Sequence, residues 1–262
     1  MLGQMKIEMT RTRDFLLAHP FCCFCGGTMP ASTIDHQPAK IIFPDKHRPK
    51  GLEFPACTYC NQQTSGDEAL LALLCRTAGS RRANASRDFH RLKDIAGSVE
   101  SSFPGLHQKM NGHQVWIEEG GVLVRGGAFN VNHPEVNLAL CRVAAKLALA
   151  IYYETLSSSA VTDCWINTQW THSQNAEVFT NVKNIIQAMP AQTTLQMGKW
   201  NTEDSFFLKY YYEEGQLYSA AIFHESIALI ANLCEPQAPR GEKWQFAMSP
   251  QPGTGITLLS DS

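Results

Sequence analysis

A chain of 262 residues is long enough for one large core or two modest ones. With 44% hydrophobic and 18% charged residues and no run of eighteen apolar residues, it reads as an ordinary globular protein with no membrane span. A net charge of −2 argues against a surface built throughout to neutralise phosphates, but the average hides a difference: residues 1 to 110 carry 14 Lys+Arg against 10 Asp+Glu, and residues 111 to 262 carry 8 against 14.

The opening residues have mixed charge and lack the apolar run and small-residue cleavage site of a secretory signal, so a cytoplasmic location is expected. Nine cysteines, an odd number, fit metal binding better than a complete disulfide framework. Residues 1 to 20 read as a short amphipathic lead-in with Met5, Met9, Phe15 and Leu16 on one side. From Phe21 to Asn61 the chain is rich in Cys, Pro, Gly and His and poor in helical periodicity, as expected where a metal organises the fold. Two short strands are predicted at 32–34 and 52–54, joined by a loop that Pro38, Pro44 and Pro49 keep out of a sheet interior. A helix follows, started by a capping box of Ser65 and Glu68, with Leu70, Leu71, Leu74 and Ala78 as its apolar face. Arg76, Arg81, Arg82, Arg87, Arg91 and Lys93 then form a basic helical segment to about Gly97, which reads either as a solvated face or as a surface beside the site.

The SSFPG stretch near Ser101 marks the expected domain boundary, between a unit at 1–100 and a second at 101–262. In the second, a hairpin is predicted from 115–117 and 122–124 around Gly120-Gly121, followed by a long helix opened by Pro134 and carrying Val136, Leu140, Val143, Leu147 and Ile151. A shorter helix holds Val178, Val182, Ile185, Ile186 and Met189, and three strand-like runs follow at 206–212, 217–223 and 227–233. Alternation places half of the aromatic run Phe206 to Tyr212 in the core; the other reading is a surface that stacks bases. Residues 235 to 262, rich in Pro, Gly and Ser, are expected to fray. The fold class that results is α+β: a small metal-stabilised unit followed by an α+β domain with antiparallel strands and a long helix.

The chemistry concentrates in the first unit. Cys22-x-x-Cys25 and, after 31 intervening residues, Cys57-x-x-Cys60 supply two pairs of soft ligands, each able to grip a tetrahedral zinc from one tight turn. Cys23 is read as a packed spectator, and Cys75, Cys141, Cys164 and Cys234 as core. Four thiolates close the coordination shell of zinc, so any chemistry must sit beside it. Between the pairs lies Asp35-His36-Gln37-Pro38, and directly after the last cysteine comes Asn61. Taken singly, an Asp-His pair is uninformative, and an Asn there could simply cap a helix.

Together these elements resemble the HNH endonucleases of the ββα-metal type, in the zinc-stapled subgroup: CxxCG at Cys22 to Gly26, DHxP at Asp35 to Pro38, and PACxxCN at Pro55 to Asn61. The resemblance spans about residues 20 to 78. It implies Asp35 and Asn61 as oxygen ligands to a catalytic Mg²⁺ or Mn²⁺, and His36 as the base that takes a proton from water attacking a DNA phosphodiester. It also implies a bacterial or phage setting, in anti-phage defence or mobile elements. Two positions depart from the family pattern: Gly51 stands where an Asn often braces the loop, and Thr64 where a Lys often follows the terminal Asn. Lys40, Lys46, Arg48 and Lys50 read as substitute phosphate contacts or as a solvated loop. Two rival readings stand beside the DNA endonuclease, a non-catalytic zinc module that binds nucleic acid or protein and an RNA-cleaving toxin. Residues 101 to 262 carry no substrate motif and are expected to regulate, to oligomerise or to bind a protein partner.

Overall fold

The structure is a computed structural model that describes residues 11–43, 52–78, 87–110, 112–119, 121–190, 206–239 and 245–259. Met5, Met9, Lys46, Arg48, Lys50, Gly51, Arg81 and Arg82 lie outside them. Helix α1 covers residues 11–18 and includes Phe15 and Leu16. Strands β1 (Thr33–His36) and β2 (Glu53–Ala56) pair antiparallel, with Asp35 opposite Phe54 and His36 opposite Glu53. They lead into α2 (Thr58–Gln63), so the chain forms a β-β-α unit within one residue or two of the predicted strands. Helices α3 (Ser65–Ala78) and α4 (Arg87–Ser102) pack against each other, and a one-turn α5 (Leu106–Lys109) follows.

The predicted hairpin forms as β3 (His113–Glu119) and β4 (Val122–Ala128), a ribbon separate from the main sheet. The main sheet is six-stranded, antiparallel, in the order β10-β9-β5-β8-β7-β6. It contains all three predicted runs, as β6 (Phe206–Glu213), β7 (Gln216–Phe223) and β8 (Ile227–Cys234). Sequence reading misses its central strand β5 (Trp165–His172), whose polar Asn167, Thr168 and Thr171 hide it from a hydrophobic pattern although all three are buried. It also misses β9 (Phe246–Gln251) and β10 (Gly255–Leu258), which lie in the segment expected to fray. Pro250 and Gly255 sit at the sheet margin, where a missing N–H and a positive φ are tolerated.

The long helix forms as α6 (Pro134–Leu156), with the His133 ring accepting from the Glu135 amide at its start and Pro134 in its first turn. It is long and apolar enough to cross a membrane, but most of it is buried inside the protein. Ala144, Ala145, Ala148 and Ala150 are fully or almost fully buried and let its backbone come close to the sheet and to α3. Helix α7 (Ala176–Ala188) covers the opposite sheet face, packing Phe179, Val182 and Ile186 on Ala220 and Ala228. Strands β7 and β8 alternate accordingly, Leu217, Ala221, Leu229 and Leu233 facing the main core and Ala220 and Ala228 facing α7. In β6, Phe206, Leu208 and Tyr210 turn inward while Phe207 turns out, so half of the aromatic run is core. Residues on both sides of Ser101 share the main core, which runs from Cys22 through α3 and α6 to Ile256.

Candidate metal centre

The ligand sulfurs of Cys22, Cys25, Cys57 and Cys60 all lie within 4.8 Å of one another, and all four residues are buried. A tetrahedral zinc with Zn–S bonds of about 2.3 Å places its sulfurs about 3.8 Å apart. The set can therefore hold a metal such as zinc with little movement. Each turn already aims backbone at sulfur: the Phe24 amide donates to Cys22 Sγ (3.4 Å) and the Cys60 amide to Cys57 Sγ (3.5 Å). Without a cation the thiols compete for protons. Hydrogen bonds from Cys22 and Cys60 hold Cys25 down to about 4, while Cys22 and Cys60 are themselves pushed up. A positive ion among the four sulfurs would remove this competition by stabilising all of them as thiolates.

The C-terminal half closes over this centre. A Cβ on Gly26 would stand 2.4 Å from the Thr162 side chain and one on Gly27 2.9 Å from Ser159; both glycines have positive φ, so the turn requires them twice over. On the other side Gly255 of β10 lies against the second cysteine turn, where an added Cβ would be 3.3 Å from Cys60 Sγ and 2.2 Å from Gln63 Oε1. The centre is enclosed, not displayed.

His36 ends β1 and is half-buried, and strand alternation turns it to the face opposite Asp35. Asn61, one residue past Cys60 in α2, donates from its side-chain amide to Thr33 Oγ1 at 3.1 Å, which ties the helix to the start of β1. Asp35 behaves differently from both. It is 5% exposed, and its Oδ2 lies 2.6 Å from Nζ of Lys146, a residue of α6 that is itself 1% exposed. The same ammonium donates to Thr64 Oγ1 at 2.7 Å and to Glu68 Oε1 at 3.2 Å, and it stands 5.3 Å from the centre of the Phe24 ring. Gln37 completes the cluster, donating to Glu68 Oε1 at 3.1 Å and, at longer range, to both Asp35 oxygens.

One helical turn before Lys146, Arg142 grips Asp67 with two parallel bonds of 2.8 and 2.9 Å. Two basic residues four apart on α6 thus meet two consecutive acids in the first turn of α3. Burial pushes the Asp67 and Glu68 carboxyls up, against the downward pull of Arg142 and Lys146. The expected capping box does not form: Ser65 lies inside α3 and its hydroxyl bonds Gln62 O, while Thr64 Oγ1 bonds Glu68 Oε1. The Lys146 ammonium, arriving from another helix, draws the Glu68 side chain into the cluster.

As it stands, Asp35 does not fit a divalent oxygen site. Its carboxylate is engaged by a buried ammonium, whereas the bond from Asn61 to Thr33 uses the side-chain N–H and not the amide oxygen that would ligate a cation. Sequence reading misses Lys146 and Arg142, since a cation on an otherwise apolar helix reads as a surface position. The interruption of the apolar run of α6 by Arg142 and Lys146, four apart, is the one signal that marks them. The chain matches no protein-family profile, no curated protein and no solved structure.

Proposed function

We propose that this protein is an HNH-type endonuclease acting on DNA, with a structural zinc on Cys22, Cys25, Cys57 and Cys60 and His36 as the general base. The observation that carries the reading is the β1-β2-α2 unit, in which a buried four-cysteine set gathers the turn before β1 against the start of α2 and Asn61 bonds the first residue of the strand that bears His36. In the reaction, His36 accepts a proton from water as its oxygen bonds to phosphorus. The P–O3′ bond breaks, and the released oxygen takes up a proton, giving 5′-phosphate and 3′-hydroxyl ends. An imidazole suits this task because its ordinary pKa lies near neutrality.

A second reading has a specific observation behind it. The pairing of Asp35 with Lys146 favours a zinc-stapled module that has kept the scaffold for binding and not for cleavage. Incubating zinc-loaded protein with supercoiled plasmid and with RNA, with and without Mg²⁺ or Mn²⁺, separates the two. The nuclease reading expects nicking of plasmid by the wild type and a loss of about a hundredfold or more in His36→Ala. Equal cleavage by both proteins removes His36 from the role of base. Absence of cleavage under all conditions supports the binding module, and cleavage of RNA alone supports an RNA-directed enzyme.

A further inference from the structure

The three oxygens around Lys146 Nζ are of the kind that hard metal ions select, two carboxylates and a hydroxyl, all from the first third of the chain. The cation among them comes from the middle of α6. Asp35, Thr64, Glu68 and Lys146 are each at least nine-tenths buried, so water does not compensate any of them. The cluster is also nearly complete in its hydrogen bonds: Gln37 and Thr64 donate to Glu68, and Lys146 has three oxygen partners. An ammonium this enclosed is not a transient surface contact. It is the fixed positive charge around which Asp35, Thr64 and Glu68 converge.

We propose that Lys146 is a resident cation, its ammonium occupying the oxygen-lined position that a divalent ion would need at Asp35, so that Asp35 anchors the β-β-α unit to α6 and is not a ligand for an exchangeable metal. The proposal deepens the nuclease reading by removing one member of its expected metal site, and it rests on that reading only for the role Asp35 would otherwise have. Thr64 gives the proposal its local logic. It stands where the resembling family often has a lysine, and its hydroxyl receives the ammonium of Lys146. If the protein cleaves DNA, it does so with His36 and Asn61, and Asp35 contributes by holding the end of β1 in place.

The test reads Mn²⁺ binding and thermal melting of the full-length, zinc-loaded chain, so it does not depend on cleavage. In the wild-type background, Asp35→Asn is expected to lower the melting temperature and to leave Mn²⁺ affinity unchanged. Lys146→Ala empties the position and exposes two carboxylates and a hydroxyl to it. That variant is expected to gain one Mn²⁺ equivalent and to melt higher in its presence, both effects lost in Asp35→Asn/Lys146→Ala. If Lys146→Ala does not fold, the comparison passes to Lys146→Met against the triple variant Asp35→Asn/Glu68→Gln/Lys146→Met. A triple variant that recovers most of the melting temperature lost by Lys146→Met supports charge compensation. Two results overturn the proposal: a fall of about tenfold or more in Mn²⁺ affinity on Asp35→Asn with unchanged melting, or a Lys146→Met variant that melts like the wild type. Failure to cleave DNA would remove the nuclease reading and leave this inference standing.

Discussion

Gln63 and Ile256, 193 residues apart in the chain, exchange two hydrogen bonds. The Gln63 side-chain amide donates to Ile256 O at 3.0 Å, and the Ile256 amide donates to Gln63 Oε1 at 3.0 Å. A further bond runs from Gln63 to Thr254 O. Strand β10 is an edge of the six-stranded sheet, so a side chain on α2 stands in for the neighbouring strand that the edge lacks. The last hairpin is thereby joined to the helix that carries Cys60.

Replacing Gln63 by Ala leaves the Ile256 amide and carbonyl without this partner, which costs about 1–3 kcal/mol. Gly255→Ala acts on the same contact from the other side, since its Cβ would meet Gln63 Oε1 at a position with φ of +64°. Both variants are expected to melt several degrees below the wild type, and hydrogen exchange at Ile256 should rise. A Gly255→Ala protein as stable as the wild type would show that the hairpin does not sit against the cysteine turn.

Metal analysis of the purified chain is expected to return one zinc per molecule. Cys57→Ser and Cys60→Ser should lose it and lower the melting temperature steeply, because in a small unit the free energy of metal binding is folding free energy. Cys23, buried between the ligands in sequence, is the control: Cys23→Ala should keep the full zinc content. Zinc retained by Cys60→Ser would break the assignment of the four ligands.

Arg142→Met strands the Asp67 carboxylate, which is 1% exposed and held by two bonds to the guanidinium. Removing one partner of a buried pair costs about 3–5 kcal/mol, mostly from the charge left behind. The double variant Asp67→Asn/Arg142→Met should recover the larger part of that loss in urea unfolding. No recovery would mean that Arg142 acts through packing alone.

Glu68 predicts a pH dependence with a definite sign. Burial raises its carboxyl in the folded state, so folding favours the protonated form. The resulting stability is fully present below the unfolded value of about 4.3 and is lost as pH rises through the folded value. Glu68→Gln cannot titrate, so the stability of the wild type relative to this variant should fall as pH increases above about 4.3. Comparing the two in the same zinc-containing buffers cancels proton uptake by the cysteine ligands. A constant difference across the range would refute the raised carboxyl.

The readable parts of the sequence are those where one local rule suffices. Two CxxC pairs declare the metal set because ligand spacing is fixed by the turn, and β6, β7 and β8 declare themselves by β-branched and aromatic runs around Gly215. Pro134 and the apolar spacing behind it mark α6. Strand β5 is unreadable because its buried Asn167 and Thr168 are satisfied by neighbours that only the assembled sheet supplies, such as Phe246 O for the Thr168 hydroxyl. Strands β9 and β10 are hidden by the Pro and Gly content that elsewhere marks loose ends. Beside the cysteine set, the motif singles out Asp35, His36 and Asn61, but the partner that fixes Asp35 lies more than a hundred residues away on a helix whose pattern says core. No local rule connects them.

The glycines that let Thr162 and Ser159 close over the first cysteine turn also set an order of events. All four thiols leave the ribosome before α6 or either covering segment has been made, so zinc can load onto a short nascent chain. Once Gly26, Gly27 and Gly255 have received their neighbours, a metal held there would be covered by Ser159 and Thr162 on one side and by β10 on the other. Loss of a bound zinc to a chelator is expected to require these segments to move, so its residence time would measure how often the finished fold opens.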